Sequence, residues 1–164
     1  MVQAWLDNAG LYQKYGVDQT TTSSAGEYEN DGQYREVEFK IDLTTLSQTE
    51  TILDDNVVIP AGMRIAEIEV KTHTAAATGT AIDLGLIKTD RTTEIDYNGL
   101  LTAFVTATMN VAGEKYIYTI PNTAEAGALV GTTTAYTGHV TCSQTDATDF
   151  TAGVIYVKIR YYRP

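Results

Sequence analysis

The chain has 164 residues, 43% apolar and 20% charged, with 11 basic against 21 acidic side chains and a formal charge of −10. That length supports one core and not two. The single Cys142 excludes an intrachain disulfide and a four-cysteine zinc site, and the lack of clustered Lys and Arg argues against a nucleic-acid backbone as partner.

No segment approaches the roughly 18 apolar residues of a membrane span, and MVQAWLDNAG has no basic stretch leading into an apolar one. Synthesis in the cytoplasm without a membrane partner is therefore expected. Thr is the outlier at 27 residues, and 11 of the 15 aromatics are Tyr. Both suit a pleated, half-buried surface better than a helix. Thirteen Gly spread along the chain punctuate it as turns between short strands would.

Residues 1–36 hold four of the 34 Val, Ile and Leu, so the core must come from the rest. Residues 18–34, DQTTTSSAGEYENDGQY, are polar and acidic and cannot repay their own ordering. Yet this region carries the one Trp, Trp5, with Leu11, Tyr12, Tyr15, Tyr28 and Tyr34. Large aromatics on a poorly cored segment need a surface, either their own domain or another chain. An extended N-terminal arm over 1–34 and a sandwich domain over 35–164 are the expected divisions.

From Val37 the alternation is clear: Val37, Phe39, Ile41 and Leu43 share one face, and Glu36, Glu38, Lys40 and Asp42 the other. Ile59-Pro60-Ala61-Gly62 reads as a turn with Pro at its second position. A strand follows with Ala66, Ile68, Val70 and Thr72 inward and Ile65, Glu67, Glu69 and Lys71 outward. Ala75–Thr80 reads as a loop. Ala81–Lys88 is a strand in which Gly85 marks a bulge or a close backbone approach. Leu100–Asn110 sets Leu101, Ala103, Val105 and Ala107 against Thr102, Phe104, Thr106 and Thr108. Lys115–Ile120 is a short strand stopped by Pro121-Asn122, and Ala124–Val130 is the best short helical candidate. Thr132–Cys142 and Gly153–Tyr162 complete the set, the last with Ile155, Val157, Ile159 and Tyr161 on its apolar face. About eight strands without helical crossovers give an all-β, antiparallel two-sheet β-sandwich of jelly-roll type, with a closed barrel as runner-up.

Groups for chemistry are sparse. His139-x-x-Cys142 lies on a strand, where positions three apart face opposite ways, so neither a zinc site nor a thiol–imidazole couple is expected. Asp54-Asp55-Asn56, Asp90 with Glu94 and Asp96, and Asp146 with Asp149 are hard-oxygen candidates for calcium. None has the spacing of a twelve-residue calcium loop, and loop solvation is the better account. No phosphate-binding Gly loop occurs. No catalytic residue, metal or cofactor is expected.

The order of several segments resembles small capsid-associated structural proteins of tailed bacteriophages. The resemblance rests on Gly10-Leu11-Tyr12 and Tyr15-Gly16, on Arg35–Leu43 running into Thr44-Thr45-Leu46, on Val58-Ile59-Pro60-Ala61-Gly62 leading to Ile65 and Ile68, and on the closing strand Gly153–Tyr162. It implies a non-enzymatic virion protein that is made in the host cytoplasm and sits on the outer capsid surface as a decoration or cement protein. The implied partner is the major capsid protein and the implied state a homo-oligomer, with a trimer as the expected form. The alternatives are a carbohydrate-binding β-sandwich module and a head-fibre or tail-associated adhesion component.

Overall fold

A computed structural model describes residues 34–164 throughout and, before them, the backbone of two strands, β1 (Gln3–Leu6) and β2 (Tyr12–Tyr15). The chain forms two compact units, Met1–Asp31 and Gly32–Pro164. In the first, β1 and β2 pair antiparallel from Gln3↔Tyr15 to Leu6↔Tyr12. Among the described residues no helix is long and apolar enough to cross a membrane.

The second unit is built from β3 (Arg35–Asp42), β4 (Thr51–Ile52), β5 (Val58–Ile59), β6 (Arg64–Thr78), β7 (Ala81–Lys88), β8 (Glu94–Val105), β9 (Lys115–Tyr118), β10 (Gly138–Gln144) and β11 (Phe150–Tyr162). One sheet has the order β3-β11-β6-β9; the other has β4-β10-β7-β8, with β5 also on β10. All pairs are antiparallel. Taking β4 and β5 as one interrupted strand leaves eight, and their interleaved orders make two Greek keys. That is a jelly roll.

The core lies between the sheets. Phe39, Ile41 and Leu43 enter it from the β3 end, Ile155, Val157 and Ile159 from β11, and Ile82, Leu84 and Leu86 from β7. Period-two alternation predicted these faces, and it fails at two places for one reason. Arg160 pairs with Glu67 but Tyr161 pairs with Ile65, so β6 holds an extra residue at Ala66. The bulge brings Ile65, expected outward, fully into the core beside Ile68. In β8, Phe104 pairs with Ile82 and Leu101 with Leu84, again one residue too many. Ala103 absorbs it at φ +45°, and Phe104, expected outward, is buried while Val105 is exposed.

The Asp83 carboxylate secures the second bulge by accepting the Ala103 N–H at 2.7 Å. Burial pushes the Asp83 carboxyl above its ordinary range, partly offset by that hydrogen bond.

Three other expectations change. Ala75–Thr80 is not a loop, because β6 runs to Thr78 beside the start of β11 and leaves only Gly79-Thr80 to turn. Ala124–Val130 forms turns rather than a helix. Its backbone is committed to β8: Gly127 N–H donates to Leu100 O at 3.1 Å, Leu129 N–H to Gly99 O at 2.7 Å, and Thr102 N–H to Glu125 O at 2.9 Å. Finally, strand geometry begins at Gly138 rather than Thr132. Residues 132–134 lie instead beside the start of β6, with Ile65 N–H donating to Thr132 O at 2.9 Å and Thr134 N–H to Met63 O at 2.8 Å.

Gly85 is the close approach its sequence position suggested. A Cβ there would lie 2.2 Å from Asp96 O and 2.3 Å from the Tyr97 backbone. Gly85→Ala is expected to cost about 2–3 kcal/mol, because backbone on both sides must move. Gly113→Ala, with φ +89° but nothing within 4 Å of the new Cβ, should cost only about 1 kcal/mol of left-handed strain. Urea denaturation of the two variants checks the order; equal losses would show that the Gly85 contact does not constrain the sheet.

Candidate interaction surface

The outward positions of β3, β11, β6 and β9 are set by their registers. Glu36, Arg160 and Glu67 lie side by side, as do Glu38, Lys158, Glu69 and Ile117 one step along. Lys158 bridges Glu36 at 3.1 Å and Glu38 at 3.5 Å, Arg160 binds Glu36 at 2.7 Å and also Glu67, and Lys115 binds Glu69 at 2.9 Å. Hydrogen bonds from Arg160 and then Lys158 hold the Glu36 carboxyl below its ordinary range, and Glu36 in turn raises both cations. The exposed pairs on Glu36 and Glu38 add little stability each, whereas the Glu67 and Glu69 side chains are largely covered. Their combined effect is an outer face whose charges along these two rows are paired among themselves.

Beyond this ladder the surface is apolar in places. Ile117 and Ile120 are 51% and 60% exposed next to β9. Among the described residues β9 pairs only with β6, and β3 only with β11. Among the described residues both are therefore sheet edges, the position at which a further strand can pair.

The aromatic residues singled out from sequence fall unevenly. Trp5 lies on β1, and Tyr12 and Tyr15 on β2, where the description stops at the backbone. Leu11 and Tyr28 lie outside the described residues. Tyr34 is described: it is 64% exposed and meets the Tyr162 ring edge-on at 5.1 Å.

The candidate ligands of the loops and of β10 have structural partners. The His139 ring is buried, with Nδ1 3.2 Å from Val57 O. Cys142 is fully buried and its thiol is pushed up by that burial, the opposite of an activated thiolate. Asp54 accepts the Asn56 N–H at 2.8 Å, and Asp146 the Thr148 N–H at 2.8 Å. Asp90 accepts Thr92 N–H at 2.9 Å, Thr93 N–H at 2.8 Å and Thr93 Oγ1–H at 2.6 Å. Each is a turn cap. Among the described residues no group of three or more His, Cys, Asp or Glu is placed to hold a metal ion.

No protein-family model and no curated protein matches the sequence. Solved structures do. Over 87% of this chain and 92% of the other, the protein is similar to a chain in the structure titled "Capsid of Ralstonia phage GP4", with TM-score 0.53 and 15% identity. Over 91% of this chain and 98% of the other, it is similar to a chain of the "Cyanophage Pam1 capsid asymmetric unit", with TM-score 0.51 and 12% identity. The likeness is one of fold.

Asp90 provides a check on the loop assignments. Its hydrogen bonds from Thr93 and Thr92 hold the carboxyl far below the ordinary 3.8. The stabilisation is therefore present above 3.8 and lost as pH falls toward the folded-state value. Asp90→Asn should melt below the wild type at pH 7, with the gap closing as pH drops below about 4. A gap that stayed constant down to pH 2 would contradict the capping role.

Proposed function

We propose that this chain is a non-enzymatic structural protein of a phage virion, binding the outer capsid surface and stabilising the head as a decoration or cement protein. The carrying observation is coverage: the match to the two phage capsid structures extends over 87% and 91% of this chain and over 92% and 98% of those chains. The likeness takes in a whole subunit rather than a shared motif. The matched charges of the outer face, the two open edges and the exposed Ile117 and Ile120 suit a protein whose work is to lie against neighbours.

In this proposal the partner is the major capsid protein, and the chain acts as a homo-oligomer, a trimer in the simplest case. Residues 1–34 form the anchor and 35–164 the body, with Trp5, Leu11, Tyr12, Tyr15, Tyr28 and Tyr34 as contact residues. A buried aromatic anchor of this kind costs ~2 kcal/mol or more when truncated.

Two exposed tyrosines favour the competing carbohydrate-binding reading. Tyr97 is 48% and Tyr136 52% exposed, and the Tyr136 ring holds Lys88 Nζ 4.1 Å from its centroid. Rings of this kind can serve as a sugar platform.

Binding to undecorated capsids separates the two. The full chain should bind saturably, and a chain lacking residues 1–34 should stay folded yet bind at least tenfold more weakly. Equal binding by the truncated chain would remove the anchor. Selective glycan binding abolished by Tyr136→Ala, with no capsid binding, would replace the proposal by the carbohydrate module.

A further inference from the structure

The two edges of the β3-β11-β6-β9 sheet complement each other. From Ile155 to Arg160 the ladders of β11 are regular, and the outer row beyond the ion ladder holds Lys40, Tyr156, Lys71 and Lys115. Lys71 and Lys115 are thus directly opposite, a like-charge pair that lowers stability, in a chain with 21 acids and 11 bases. Lys115 has one carboxylate partner, Glu69 at 2.9 Å, and Lys71 has none among the described residues. Beside Lys115 on the same edge strand and the same face, Ile117 is 51% exposed. The far edge offers what this one lacks. Glu36 and Glu38 face outward along β3, and Tyr34, just before them, is 64% exposed against Tyr162. Arg35 points to the other face, opposite Tyr161, with no carboxylate partner among the described residues.

The backbone permits these edges to meet. With four antiparallel strands in the sheet, β9 runs opposite to β3. Along an antiparallel strand the N–H and C=O groups turn to alternate sides, and across four strands the alternation returns to one phase. Outward residues of β9 and β3 therefore both turn toward their free edges or both turn away. Either way, β3 of another molecule can continue the ladder beyond β9 with the outer faces aligned. Setting Lys115 opposite Glu36 in that ladder sets Ile117 opposite Tyr34 and Tyr116 opposite Arg35. Cation meets acid, and two exposed apolar side chains cover each other. Arg35 comes to Tyr116, whose hydroxyl donates to Glu114 Oε2 at 2.8 Å and so brings that carboxylate within its surroundings. A shift of two residues either way sets Ile117 against Glu36 or Lys115 against Tyr34, and both matches are lost.

We infer that β9 of one copy pairs antiparallel with β3 of a second copy of this chain, Lys115 opposite Glu36, joining two sheets into one. Pairing of like edges is poorer, because β3 against β3 crowds Glu36 and Glu38 of both molecules along one seam. The charge of −10 opposes any self-association, so the seam depends on these local matches. A contact between unlike edges is heterologous, and it closes into a ring where the rotation between copies allows. The inference rests on the homo-oligomer part of the function proposed above and names the surface that would build it.

The test is a disulfide placed across the seam of the full-length chain by Tyr34→Cys with Ile117→Cys. Directly opposite residues of antiparallel strands have Cα atoms about 4.5–5.5 Å apart, within reach of a disulfide. In one molecule the two positions lie on opposite edges, three strand spacings or about 14 Å apart, so a bond between them must join two molecules. Cys142 is fully buried and takes no part. Oxidised with diamide and run unreduced on a denaturing gel, the double variant should give linked dimers and larger forms. A mixture of the two single variants should give linked dimers only, and each single variant alone should stay unlinked. Moving one cysteine out of register, as Tyr34→Cys with Lys115→Cys, should lower the yield about tenfold or more. Sedimentation velocity supplies a second reading without cysteines: the wild type should associate, and Ile117→Asp, its fold checked by circular dichroism, should weaken association about tenfold or more. Association of the wild type without linkage of the double variant would overturn the seam and leave the homo-oligomer standing. Linkage of either single variant alone would show like edges pairing and would also overturn it. A monomeric wild type would remove the seam and the homo-oligomer together.

Discussion

Pairing of β11 with both of its neighbours holds the second unit together. Eleven residues of β11 have partners on β6 and eight on β3. Because side chains alternate, this one register sets two surfaces at once. It sends Ile155, Val157, Ile159 and Tyr161 into the core and Lys158 and Arg160 into the ion ladder outside. A slip by one residue would bury the cations and expose the isoleucines, so core and outer face stand or fall together.

What could be seen in the sequence was whatever alternation controls. The faces of β3 and β11 follow from a strict period of two, and Gly85 announced its close approach because a Gly inside a strand pattern needs a reason. Ile65 and Phe104 were missed because each sits directly beside a bulge residue, and an inserted residue inverts the faces on one side of it relative to the other without any change in composition. Only a positive φ at Ala103 marks the second bulge, and Ala carries no signal for that conformation. The helical expectation at Ala124–Val130 failed for a tertiary reason: the Gly127 and Leu129 N–H groups go to carbonyls on β8, which leaves only the single local turns closed by Ala126 and Val130. Gly127 permits that contact, since a Cβ there would lie 2.3 Å from Asn98 O and Gly99.

The surface was still less legible. Glu36, Glu67 and Arg160 are spread across the whole second unit in sequence, and only the order β3-β11-β6 makes them neighbours. Asp54, Asp90 and Asp146 looked like candidate ligands but act as caps, each carboxylate receiving N–H or O–H donors from a Thr or Asn two or three residues on, while Asp55 pairs with Arg91 and Asp149 accepts from Gln144 Nε2. In a chain with 27 Thr, such caps fix many tight turns without Pro. The aromatic segment before residue 34 is unusual by composition alone, because rings without a local aliphatic core need a surface, on their own domain or on another chain.

The most direct test of the structural reading is the copy number of this chain in purified phage particles, measured by quantitative mass spectrometry against the major capsid protein. The account predicts a fixed ratio repeated over the capsid lattice, one chain for every one or few capsid subunits. Absence from the particles, or a few copies per particle as at a single vertex or tail, would contradict it.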